Sequence, residues 1–175
     1  MDLYQTVVEL IDLRSFSNLW YWISLAVLWS TASHWVLGIP YDMIQRARRS
    51  GGQTARDVED LARININRIR YINEVAGLWL TALIPGILVT IAILGFWYDV
   101  EFAQAVFFLA FPMSFVGLIT IRTALRVTRE ALHGDKLFAA LIRHRLFVQM
   151  IGVVAIFLTA LWGMYQNMSI GVLGG

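Results

Sequence analysis

Four stretches of the chain stay apolar over the width of a bilayer. Residues 19–39, 75–97, 102–121 and 146–166 contain no Asp, Glu, Lys or Arg. Each is about 20 residues, which at 1.5 Å of rise per residue matches a hydrocarbon core of about 30 Å. The pattern predicts an all-α fold, a single membrane domain over residues 1–175 with four transmembrane helices. Polar segments 40–74 and 122–145 should continue those helices beyond the membrane.

Between the spans the pattern changes to amphipathic. Leu3, Val7, Val8 and Ile11 alternate with acids at helical spacing, which predicts a short interfacial helix over residues 1–18. Ser17 and Asn18 are placed to cap the first span, and Gly38-Ile39-Pro40 to close it, because proline cannot continue helical hydrogen bonding. After the break at Ser50-Gly51-Gly52, Thr54 and Asp57 resemble a capping box. A helix starting there should run into the second span, its polar part projecting about 30 Å from the membrane. Val58, Leu61, Ile69 and Ile72 would form one face of it, and Arg56, Arg63 and Arg70, seven apart, another. Arg122, Arg126, Arg129, His133 and Lys136 follow a four-three-four-three spacing that would align them on one side of a helix leaving the third span. Gly134 suits that helix's C-cap, and Asp135 the N-cap of a last helix entering the fourth span.

Charge then orients the bundle. Thirteen of the fourteen basic residues lie in the two polar segments, whereas residues 1–18 and 98–101 are each net negative. The positive-inside rule puts both basic segments in the cytoplasm and both termini outside. Trp20, Tyr21, Trp22, Trp97, Tyr98, Trp162 and Tyr165 all fall at the outer boundary of this topology, where amphipathic rings prefer to sit. The start of the chain lacks a basic leader, so the first span is expected to remain in the mature protein. Composition agrees with a membrane protein: 58% of the residues are hydrophobic, and the mean hydropathy is +0.64.

Candidate chemistry is sparse. There is no cysteine, which excludes disulfides, thiolate metal sites and cysteine nucleophiles. His34 is the only residue within a predicted span whose side chain can ionise near neutral pH, on a line Ala26, Ser30, His34, Gly38, each four apart. Small residues there favour close helix packing with the imidazole bonded across the gap. The competing reading is an axial ligand to haem or bacteriochlorophyll; His133 and His144 lie outside the spans, which disfavours a bis-histidine haem. Ala155, Thr159 and Gly163 form a second small-residue line, whose partner helix the sequence leaves open. Pro85, beside Gly86, and Pro112 sit near mid-span and predict kinks rather than a transport site, since no charge accompanies them. Arg56, Arg63, Arg70, Arg122, Arg126, Arg129 and Lys136 are candidates for contact with anionic lipid headgroups or a partner protein. Acids interleave these arginines and no aromatic stacking platform accompanies them, so nucleic acid is not an expected partner.

The runs Arg14-Ser-Phe-Ser-Asn-Leu-Trp20, Trp29-Ser-Thr-Ala-Ser-His34-Trp35, Asp42-Met-Ile-Gln-Arg-Ala-Arg-Arg49 and Val100-Glu-Phe-Ala-Gln-Ala-Val106 resemble a small family of alphaproteobacterial membrane proteins. The resemblance covers most of the chain through about Arg126. It implies a bacterial inner-membrane location, in which the charge asymmetry would put both termini in the periplasm. Members are often labelled a component of the SufBCD complex, an iron–sulfur assembly system; without cysteine, this chain has no thiolates with which to hold a nascent cluster. The resemblance brings no site residues with it.

With no charged pathway, metal cluster or nucleophile–base pair, the expected function is non-enzymatic, without a cofactor: an accessory or assembly subunit of a larger membrane complex, in contact with lipids and with other membrane subunits or further copies of itself. The alternatives are a homo-oligomeric ion channel or small-solute carrier, and a pigment- or haem-binding protein using His34.

Overall fold

The computed structural model describes residues 16–173, with side chains through Met168. The interfacial helix expected over residues 1–18 therefore falls almost wholly outside the described residues, and residues 16–18 form a turn. The described chain is nearly all helical. It comprises α1 (Leu19–His34), a two-stranded hairpin of β1 (Trp35–Val36) and β2 (Ile39–Pro40), α2 (Tyr41–Ser50), α3 (Gly52–Ala92), a π-helical turn (Ile93–Trp97), α4 (Glu101–Arg129) and α5 (Gly134–Leu173).

Three helices are long and apolar enough to cross a membrane: α3 with its π turn, α4 and α5. The first predicted span is cut short. α1 has 16 residues, about 24 Å of helix. The apolar run continues to residue 39, but its last part is the hairpin, with Leu37 at φ 52° and Gly38 at φ 78° between the paired residues Val36 and Ile39. Two successive positive φ angles are what a tight two-residue hairpin loop needs. Any side chain at Gly38 would also meet the Asn65 amide at 2.9 Å.

Three apolar residues of the hairpin are packed inside the protein. Val36, Leu37 and Ile39 are buried in a core with Ile44 and Ala47 of α2, Val58, Ala62 and Ile66 of α3, Ala124 and Val127 of α4, and Leu137, Phe138 and Leu141 of α5. The polar extensions therefore do not project singly; they fold together into a small cored unit at the basic end. The buried stripe of α3 is Val58, Ala62 and Ile66, with Leu61 and Ile69 beside it, while Ile72 is exposed.

Two caps differ from expectation. α3 begins at Gly52 with no side-chain cap, and Asp57 accepts a hydrogen bond from Gln53 at 2.8 Å instead of pairing with Thr54. α4 ends at Arg129, and the left-handed residue after it is Ala131, φ 47°, while Gly134 opens α5. The Glu59 carboxylate of α3 accepts the Gly134 N–H at 2.7 Å and so satisfies one donor of that helix start. Asn18 precedes α1 without a side-chain cap bond.

Within the apolar half of the molecule, α1 lies antiparallel on α5. Trp29 packs at Gly152, Trp22 and Phe16 at Gly163, and the Arg145 guanidinium donates through Nε to the Ser33 carbonyl at 3.0 Å. α4 completes this core through Val116, Leu109 and Met113. By contrast, α3 contributes buried side chains only near its polar end, at Val58, Ala62 and Ile66. No residue from 67 to 94 is buried.

Candidate functional site

The basic end carries most of the charge, and its arginines divide by what holds them. Arg63 pairs with Asp60 at 3.0 Å and Arg70 with Glu74 at 3.3 Å, both along exposed turns of α3. Pairs of this kind contribute about 0–1 kcal/mol each and orient the side chains more than they stabilise the fold. Arg56 is exposed near the start of the same helix. On α4, Arg126 Nε donates to both Glu130 oxygens, at 3.1 and 3.2 Å, and Arg129 approaches the same carboxylate at 3.9 Å.

The five-membered basic stripe does not exist as one helical face, because α4 stops at Arg129. His133 lies in the connection beside Arg63 and Glu59, and Lys136 lies on the first turn of α5 near Arg126 and Arg143. The structure brings together a different set, Arg122 and Arg126 of α4 with Arg143 of α5, around a concavity that also holds Thr123 and His144. His144 is buried, with Nδ1 3.2 Å from Thr123 Oγ1. Spacing within one helix could not reveal this set, since it needs the α4–α5 register.

Arg145 was missed for a similar reason. Besides its bond to Ser33, its guanidinium lies 3.7 Å from the centroid of the Tyr41 ring. It ties the C-terminal end of α1, the start of α2 and α5 into one joint; a cation at a helix C-terminus is favourable there.

His34 is exposed at the end of α1, in edge contact with the Trp35 ring at 5.7 Å. Ala26 and Ser30 are exposed above it, and Gly38 is in the hairpin, off the helix. Ala26, Ser30 and His34 thus form an exposed line, whereas Gly38 lies against Asn65 of α3. The second line does pack. Ala155, Thr159 and Gly163 are buried, Thr159 Oγ1 donates to the Ala155 carbonyl at 2.7 Å, and the line faces the aromatic side chains of α1. The helices run unbroken through Pro85 and Pro112. Among the described residues, no group of three side chains converges as metal ligands.

At the opposite end, Gln104 is 1% exposed and forms a polar hub. Its Nε2 donates to the Gly95 carbonyl at 2.8 Å and to Asp99 Oδ1 at 3.0 Å. Its Oε1 accepts from Trp162 Nε1 at 2.9 Å and Gln166 Nε2 at 2.6 Å. One glutamine thereby joins the π turn, α4 and α5, and Glu101 adds α1's approach by accepting the Phe16 N–H at 2.7 Å. Of the aromatic residues expected at this boundary, Tyr21 is buried and Trp22 and Trp162 half-buried, whereas Trp20, Trp97, Tyr98 and Tyr165 are exposed. No protein-family model, curated protein or solved structure matches the chain.

Proposed function

We propose that the protein is a non-enzymatic accessory or assembly subunit of a larger complex in the bacterial inner membrane. One observation carries the reading: the apolar part of α3 is largely exposed among the described residues. Its most apolar stretch has no buried residue. Ala82, Gly86 and Thr90, four apart, line a shallow concavity there between Trp79, Leu83 and Ile87. Small residues at this spacing let a second helix approach closely.

The topology belongs to the same proposal. The basic core unit lies in the cytoplasm, the termini in the periplasm, and α1 crosses as a fourth, short span. The charge asymmetry supports this, as does the pairing of α1 with α5 from Gly163 to Arg145, about 27 Å of helix. A helix somewhat shorter than the bilayer is accommodated by local thinning or by flanking aromatic residues.

The test is purification in a gentle detergent. A defined set of other membrane proteins should accompany the chain, and Gly86→Leu should release them while leaving its own stability in place, because among the described residues a Cβ at that position meets nothing within 4 Å beyond its own helical turn. A uniform homo-oligomer that conducts ions in a planar bilayer would replace the accessory reading with the channel reading.

A further inference from the structure

The cleft between α4 and α5 is amphiphilic along its length. Its apolar part, about 500 Å³, is lined by Phe107, Phe111, Pro112, Phe115, Met150 and Val154 among others. Its basic part, about 270 Å³, holds Arg122, Arg126 and Arg143. The two parts share Ile119 and Phe147, so they adjoin end to end along the α4–α5 seam.

We propose that this cleft binds one anionic phospholipid of the basic-side leaflet. The phosphate sits among Arg122, Arg126 and Arg143, and an acyl chain lies along the phenylalanine groove. Three observations select this occupant. Arg126 is already held by Glu130, but among the described residues Arg122 and Arg143 have no carboxylate in ion-pair reach, so the cup carries uncompensated positive charge. Guanidinium groups pair with phosphate oxygens in the plane of the fork, which suits a phosphodiester better than a point charge would. The groove from Phe107 to Ile119 is about 18 Å long, little more than the 15 Å or so of one leaflet. A packed apolar helix would leave Arg122 and Arg143 without a counter-charge, and a free phosphate would leave the groove unfilled. A zwitterionic lipid would bring a further positive charge into a cup that already carries three guanidinium groups.

Arg129 and Lys136 do not line this cup, which separates the proposal from general attraction to an anionic surface. The proposal rests on the membrane placement given above and not on the docking role of α3, so release of partners by Gly86→Leu and lipid loss are independent outcomes.

The experiment is native mass spectrometry of the full chain, delipidated and then titrated with phosphatidylglycerol or phosphatidylcholine of equal chain length. One phosphatidylglycerol per chain should be retained, about tenfold or more in preference to phosphatidylcholine. Arg122→Gln with Arg143→Gln should abolish the preference, Arg122→Lys with Arg143→Lys should keep part of it, and Arg129→Gln with Lys136→Gln should leave it unchanged. Val154→Trp, which fills the groove and leaves every arginine in place, should weaken retention of both lipids. The proposal is overturned if the two Gln pairs act alike, if both lipids are retained equally, or if inorganic phosphate displaces phosphatidylglycerol, which would make the cup a site for the anion alone. Thermal melts of all variants separate lost binding from lost fold, since Arg122 and Arg143 are both exposed.

Discussion

Gly152→Ala tests the seating of α1 on α5 with a single methyl group. A Cβ at position 152 would lie 2.7 Å from Trp29 Cε3 and 3.1 Å from its Cδ2. Carbon atoms prefer about 3.5–4.0 Å, so the indole or the helix must shift by nearly 1 Å. Trp29 has little room to do so. It is 6% exposed and enclosed by Leu25, Val116, Val148 and Ala155. Overpacking of this kind costs about 1–3 kcal/mol. Replacing a mid-helix glycine by alanine returns about 1 kcal/mol, so the net loss should be about 0–2 kcal/mol. The two contributions separate in a Trp29→Leu background, where the clash is gone and Gly152→Ala should stabilise. The coupling between the two sites is then the overpacking contribution itself, about 1–3 kcal/mol. Gly86→Ala serves as control, since nothing lies within 4 Å of that position; it should stabilise by up to about 1 kcal/mol in either background. Equilibrium unfolding in micelles, followed by far-ultraviolet circular dichroism because a tryptophan is being changed, measures all four states. Equal effects of Gly152→Ala and Gly86→Ala, or a coupling below about 0.5 kcal/mol, would refute the packing of Trp29 on Gly152.

Further expectations follow from the same contacts. Gln104→Leu strands the Trp162 indole N–H and the Gly95 carbonyl, and should cost about 1–3 kcal/mol in the same unfolding measurement; a change within error would mean the hub is not closed. His34→Ala, at an exposed site, should change stability by less than about 0.5 kcal/mol and leave the visible spectrum of the purified protein unaltered; loss of a Soret or bacteriochlorophyll band would establish the ligand role instead. In this cysteine-free chain, Ser17→Cys should react with an impermeant thiol reagent from outside, and exposed Ser50→Cys only after the membrane is opened; the reverse pattern would invert the topology.

Apolar runs without charge, read one residue at a time, locate three helices able to cross a membrane, because lipid and protein interior both demand satisfied backbone and uncharged side chains. That shared demand is also why the first run misled. Lipid and a protein core look alike in composition, so Val36, Leu37 and Ile39 extended an apparent span although they fill the core of the basic end. The same limit explains the basic residues. Periodicity aligned Arg129 and Lys136 with Arg122 and Arg126, but α4 ends before the period closes. Arg143, twenty-one positions beyond Arg122, joins the cup only through helix register. Small-residue spacing marked both Ala26–Ser30–His34 and Ala155–Thr159–Gly163 as packing surfaces. Only tertiary structure decided that the second receives the indoles of α1 while the first stays open. Gln104 carried no signal at all, since a lone glutamine in an apolar helix becomes a hub only where a turn, an indole and another glutamine converge on it. Which segments can be helices in lipid follows from local chemistry summed along the chain. Which polar groups meet depends on the antiparallel seating of α1 on α5 and the register of α4 with α5, long-range contacts that no local pattern encodes.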